Sequence, residues 1–287
     1  MSILDAIILG IVQGLTEFLP VSSSAHLRIA GAFLPSHTDP GAAFTAIIQI
    51  GTEAAVLLYF RKDIWRIATA WLGQFFGAKD QAARDNARLG WLVIIGTLPI
   101  VVLGLLFKDA IETSLRNLWF TAFSLIGFGI LLGIADRVGR RRWGIDRLGW
   151  GSGIAFGFAQ AMALLPGVSR SGGTITAGLF MGFTREAAAR YSFLLAIPAV
   201  LASGLYQLLK TWGQFGPYGP GPTLLATAIS FVVGYASIVG FLKLVSTRGY
   251  MAFVVYRVLL GSALIALLSQ GRIAPLGQGR FGPSFAS

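Results

Sequence analysis

The chain has 287 residues, 55% hydrophobic and 12% charged; with a mean hydropathy of +0.71 and a charged share far below the roughly 25% of soluble domains, this excludes a soluble globular protein. Lys and Arg number 23 against 12 Asp and Glu, a net charge of +11, the sign expected of a membrane protein with basic cytoplasmic loops. Nucleic-acid binding is not favoured, because the basic residues lie between apolar stretches rather than on one polar face, and the lack of cysteine removes disulfides, thiolate metal sites and Cys nucleophiles.

The first segment, residues 3–34, is apolar but interrupted by Pro20 and a serine run, Ser22, Ser23 and Ser24. It lacks the basic flank of a signal peptide, so it is expected to belong to the mature fold. Residues 42–60 predict the first uninterrupted span. An interfacial helix follows over 62–78, where Ile64, Ile67, Ala68, Trp71, Phe75 and Phe76 recur at helical spacing beside Lys62 and Arg66. Further spans are expected at 89–107 and 117–135, each near the roughly 20 residues that cross a bilayer. Residues 150–183 form a second interrupted segment, broken by Pro166, Gly167 and a Ser/Gly run. Spans at 190–209, 223–242 and 251–269 complete the set, and residues 270–287, rich in Gly and Pro, read as a disordered tail.

Interrupted apolar segments are tolerated at membrane depth only when buried in protein or lining a wet cavity, so both predict re-entrant helix pairs. The expected fold is an all-α integral membrane protein: six transmembrane helices and two re-entrant pairs in one membrane domain over 1–287. Loops 61–88, 136–148 and 243–250 carry thirteen Lys and Arg, whereas loops 108–116 and 210–222 carry three. The richer set is expected in the cytoplasm, which places both termini outside. Each trio of spans then follows one interrupted segment, with opposite orientation, as in an inverted-topology repeat of about 1–135 and 150–269. A shift of 147 positions sets GIVQGLTEFLPVSSSAHL over GFAQAMALLPGVSRSGGT. Gln13 then meets Gln160, Ser22 meets Ser169 and Ser24 meets Ser171, while Glu17 faces Leu164, Ser23 faces Arg170 and His26 faces Gly173.

Both breaks are expected to start new helices, whose free N–H groups and partial positive charge suit anions. Arg170 adds a planar fork that binds phosphate bidentately. Gln13 and Glu17 share one helix face a turn from the serines. Glu17 is a candidate to hold a divalent cation or to act as general base. His26, one turn past Ser22 and Ser23, is a candidate proton carrier or nucleophile. The alternative for the serines is plain N-capping. Glu53 repeats the Gln-to-Glu spacing with Gln49 and either lines the same cavity or pairs with a buried donor. Arg257 is expected to snorkel to the cytoplasmic surface, Arg185 and Arg190 to touch headgroups, and His37 to lie in a surface loop.

The pair QGLTEFLPVSSSAHL (13–27) and PGVSRSGGTITAG (166–178) resembles the two signature motifs of the undecaprenyl-diphosphate phosphatase family, also called the bacitracin-resistance family, over nearly the whole chain. The resemblance implies an inner-membrane enzyme that hydrolyses undecaprenyl diphosphate to undecaprenyl phosphate and inorganic phosphate, recycling the carrier lipid of cell-wall synthesis. It implies a divalent cation, Mg2+ or Ca2+, a homodimer among membrane lipids, and action on the outer face. The family's acidic motif falls on Gln13 and Glu17, its Ser and His on Ser23 and His26, and its Arg motif on Ser169, Arg170, Ser171 and Thr174. Catalysis is thereby expected from Glu17, Ser23, His26 and Arg170. Substrate binding is expected from Gln13, Ser22, Ser24, Ser169, Ser171 and Thr174, and the cation at Glu17 and Gln13. The rival class is a lipid-phosphate flippase or other transporter, since broken helices in inverted repeats also build transporters.

Overall fold

A computed structural model describes residues 3–34, 40–77, 80–107, 110, 111, 117–211 and 219–275, with residue 42 by its backbone alone. The helices within them are α1 (Ile3–Thr16), α2 (Ser23–Phe33), α3 (Gly41–Tyr59), α4 (Arg61–Gly73), α5 (Gln81–Leu106), α6 (Leu118–Val138), α7 (Trp150–Ala161), α8 (Arg170–Phe180), α9 (Arg185–Lys210), α10 (Pro220–Thr247) and α11 (Met251–Ser269). No strand occurs among the described residues; one isolated bridge joins Trp143 and Phe183.

Five helices, α5, α6, α9, α10 and α11, are long and apolar enough to cross a bilayer, and α3 with α4 makes a sixth candidate bent by 78°. The bend falls at Phe60, where Arg61, Lys62 and Asp63 end the apolar run. Beyond it α4 and a 3-10 turn over Gln74–Phe76 occupy most of the segment expected at 62–78. Ile67 is buried, whereas Trp65, Phe75 and Phe76 are exposed.

The interrupted segments each fold as two helices around a non-helical link, Glu17–Ser22 in one and, after a 3-10 turn over Met162–Leu164, residues 165–169 in the other. Both links end on a serine with a left-handed backbone, φ 74° at Ser22 and φ 72° at Ser169. Such a conformation costs a non-glycine residue about 1–3 kcal/mol and persists only where the surroundings hold it. Glycines let the flanking helices approach their neighbours closely. A Cβ on Gly10 of α1 would lie 2.7 Å from the carbonyl oxygen of Ala226 in α10, and one on Gly157 of α7 would lie 2.6 Å from that of Gly96 in α5. Further packing pairs α3 with α9 and α10, α9 with α5, and α6 with α11. Beside the first link, Phe18 meets Phe193 edge-on at 5.3 Å, and the aromatic contacts continue through Phe60 and Phe241 to Phe253.

Three sequence expectations change here. Arg185 is held by Asp136 at 2.6 Å and Arg190 by Asp63 at 2.8 Å while lying over the Phe60 ring, so these cations join helices rather than awaiting headgroups. The start of the expected tail is ordered: Ile273 is buried with Leu118 and Leu268, and the Pro275 carbonyl accepts from the Leu118 N–H at 2.8 Å. His37 and residues 276–287 lie outside the described residues.

Candidate active site

The two links meet around one carboxylate. Glu17 Oε1 accepts from Arg170 Nη2 at 2.9 Å, across 153 positions of sequence. Glu17 Oε2 accepts from Ser23 Oγ at 2.7 Å and from Gln13 Nε2 at 2.8 Å, with Gln49 Nε2 of α3 at 3.4 Å. The ion pair is withdrawn from water, with side-chain exposures of 3% for Glu17 and 9% for Arg170. Burial at that depth requires the charges to be paired and hydrogen-bonded. Arg170 also donates to the Ser192 carbonyl at 3.4 Å.

The helix periodicity explains how each residue arrives. Gln13 precedes Glu17 by one turn, and the link carries the chain back so that Ser23, the first residue of α2, reaches the same oxygen. Arg170 is the first residue of α8, so its side chain projects from that helix's N-terminus. Ser169 caps α8, its Oγ accepting from the Gly172 N–H at 3.1 Å. Ser171 donates to the Leu19 carbonyl at 3.0 Å and ties the second link to the first. Thr174 donates to the Arg170 carbonyl and shares a hydrogen bond with Ser192. These hydroxyls build the support beneath Arg170.

Gln13, Glu17, Ser23 and Arg170 are thus brought together. Ser22 and Ser24 are within hydrogen-bond distance of each other at 3.3 Å, and Ser22 makes no side-chain cap to α2. His26 bonds to other partners: its Nδ1 lies 2.7 Å from the Ser22 carbonyl and its Nε2 2.6 Å from the Tyr256 hydroxyl. A carbonyl only accepts, so Nδ1 carries a proton and, in the neutral ring, Nε2 accepts from Tyr256.

Arg257 overturns its expected role. It is fully buried and does not snorkel. Its Nη1 donates to the carbonyls of Pro20 at 2.9 Å and Val168 at 3.0 Å, its Nη2 to Gly167 at 2.8 Å and Ser124 at 3.4 Å, and its Nε to Leu125 at 3.1 Å. Pro20 and Gly167 are matched positions under the 147-residue shift. One guanidinium therefore satisfies carbonyls that both non-helical links leave free, and it does so at a depth where unpaired backbone groups are costly. Gly172 makes room for it, since a Cβ there would lie 2.8 Å from Nη1. Sequence reasoning also missed Ser192 and Tyr256. A serine within an apolar run and a tyrosine near a helix end carry no local signal, whereas a charge inside a span does.

The oxygens near the pair suit a hard cation. Gln13 Oε1 is buried with no hydrogen-bond partner among the described residues, and the same holds for both carboxylate oxygens of Glu53. No cluster of three His, Cys, Asp or Glu side chains occurs among the described residues. A site of one or two carboxylates completed by phosphate oxygens and water is the usual form for Mg2+.

Comparison with known proteins gives the family. Residues 6–263 match the family model for bacitracin resistance protein BacA. A protein of Agrobacterium fabrum named undecaprenyl-diphosphatase 2 is 66% identical over 94% of this chain and 97% of its own length. Undecaprenyl-diphosphatases of Paenarthrobacter aurescens and Micrococcus luteus are 64% and 58% identical, over 93% and 96% of this chain and 98% and 100% of their own lengths.

Proposed function

The chain belongs to the bacitracin resistance protein BacA family, and we infer from this premise that it hydrolyses undecaprenyl diphosphate to undecaprenyl phosphate and inorganic phosphate, as a multi-pass membrane enzyme. The names of its relatives do not favour the transporter alternative. We further propose that the Glu17 group is the catalytic centre. The observation that carries this reading is the single buried carboxylate that takes a serine hydroxyl from one link and a guanidinium from the other.

In this reading Ser23 Oγ attacks the terminal phosphorus and Glu17 Oε2 takes its proton, an arrangement of nucleophile and adjacent base. The bond from phosphorus to the bridging oxygen breaks, and undecaprenyl phosphate leaves. Undecaprenyl phosphate carries that proton away, so Glu17 takes the next one from the water that attacks the phosphoserine; the bond from phosphorus to Ser23 Oγ breaks, inorganic phosphate leaves and Ser23 recovers the proton from Glu17. Arg170 and the N-termini of α2 and α8 face the phosphate oxygens, and charge neutralisation with positioning supplies most phosphoryl-transfer catalysis. Ser169, Ser171 and Thr174 hold Arg170 in place, Ser22 and Ser24 line the approach, and His26 with Tyr256 borders it as a proton carrier. Glu17 and Gln13 Oε1 would hold a divalent cation, Mg2+ or Ca2+, which would neutralise phosphate charge.

We also propose that the two halves, about 1–135 and 150–269, are an inverted repeat with re-entrant pairs. Support comes from the matched left-handed serines, the matched carbonyls on Arg257, and the pairing of α1 with α10 and α7 with α5. The loop charges favour external termini, and the family resemblance favours the inner membrane and a site open to the outer side.

The test is phosphate release from undecaprenyl diphosphate by purified protein, with and without chelator. Ser23→Ala is expected to lose about 10²-fold or more. A Ser23→Ala enzyme within a few fold of wild type would transfer the attack to His26 or water.

A further inference from the structure

Glu17 is nearly saturated. A carboxylate offers about four lone-pair positions, and Glu17 Oε2 already faces Gln13, Ser23 and Gln49 while Oε1 takes Arg170. The three donors on Oε2 fill that oxygen, so one position, on Oε1 beside Arg170, is left for a divalent cation, and the neighbouring Gln13 supplies a neutral amide rather than a second charge. Its Nε2 is committed to Glu17, so its Oε1 is the end left without a partner.

Glu53 has the opposite problem. It is fully buried, and neither carboxylate oxygen has a hydrogen-bond partner among the described residues. It lies on α3 one turn beyond Gln49, the residue of that helix that reaches Glu17, and the charges that act on it are Arg170 and Glu17. A carboxylate withdrawn from water with no donor is costly unless a cation matches it. An oxygen-rich position with two unused carboxylate oxygens is what a hard divalent cation takes.

Resting on the reading of this site as a cation-assisted phosphohydrolase, we propose that Glu53 is the second carboxylate of the cation site, holding the ion with Gln13 Oε1 and Glu17 between α1 and α3. Glu17 is then free to serve Ser23 while Glu53 carries the larger share of the cation's charge.

The experiment uses Mn2+ as the probe, its free concentration read by electron paramagnetic resonance in titrations of the purified full chain. Glu53→Gln keeps the shape of the side chain and removes its charge, and is expected to weaken Mn2+ binding about tenfold or more. The double variant Glu53→Gln with Gln13→Glu returns a carboxylate to the same place from α1 and is expected to recover most of the loss. A Glu53→Gln protein that elutes as wild type and binds Mn2+ within twofold of it overturns the proposal. So does a double variant no better than the single one. If Glu17→Gln loses Mn2+ while Glu53→Gln keeps it, only Glu53 is excluded. If wild type binds no Mn2+ and releases phosphate in chelator, the cation reading itself falls.

Discussion

The two links share a backbone and differ in chemistry. Each ends on a left-handed serine, each launches an eleven-residue helix, and each lends a carbonyl to Arg257. Yet the first carries an acid and the proposed nucleophile, Glu17 and Ser23, where the second carries Leu164 and Arg170. A symmetric frame with unlike contents gives a site with a negative and a positive side, which a diphosphate hydrolase needs and two identical anion-binding turns would not supply. The second link is also the better fastened: Ser169 caps its helix and Ser171 reaches across to Leu19, whereas Ser22 caps nothing.

The largest test of that asymmetry removes the pair that joins the links. Glu17→Gln and Arg170→Met are each expected to lower phosphate release by about 10²- to 10³-fold. Their double variant should lose less than the product of the two, because each single variant strands a buried charge. Additive losses would mean that the two residues act separately. Next comes the shared fastening. Arg257→Lys cannot satisfy five carbonyls with a point charge, and is expected to destabilise the protein by about 3 kcal/mol or more, read by thermal unfolding in detergent. An unchanged unfolding temperature would show that the links hold themselves. The smallest effect separates the two serines. Ser169→Ala removes a cap and is expected to cost about 1 kcal/mol. Ser22→Ala should cost only a few tenths, and Ser22→Gly is expected to stabilise by about 1 kcal/mol by relieving the left-handed backbone. Equal costs for the two alanine variants would erase the difference.

Much of this arrangement was legible in the sequence because it follows from hydropathy and local pattern. The apolar runs located α3, α5, α6, α9, α10 and α11. The interruptions at Pro20 and Pro166 located both links, and the 147-residue shift set Glu17 and Ser23 beside the Arg170 motif. What escaped was partnership over distance. Arg257 was visible as a charge in a span, but nothing local says which carbonyls a broken helix elsewhere leaves free. Arg185 and Arg190 looked like surface cations because Asp136 and Asp63 lie 49 and 127 positions away. His26 shared a helix with Ser23, but its ring is turned toward Tyr256, 230 positions further on. Glu53 was legible as an anomaly, a carboxylate in an apolar helix at the spacing of Gln13 and Glu17, and it stays one until its partner is measured.

Arg257 also bears on the order in which the protein is made. It lies on α11, the last of the candidate spans, so a ribosome delivers both links to the membrane well before the guanidinium that fastens them. Through most of synthesis the carbonyls of Pro20, Gly167 and Val168 wait without that donor, and Glu17 and Arg170 have no fixed frame in which to pair. Docking of the final helix is therefore expected to complete the frame of the proposed site. A nascent chain halted before Met251 would hold Glu17, Ser23, His26 and Arg170 and is expected to be inactive.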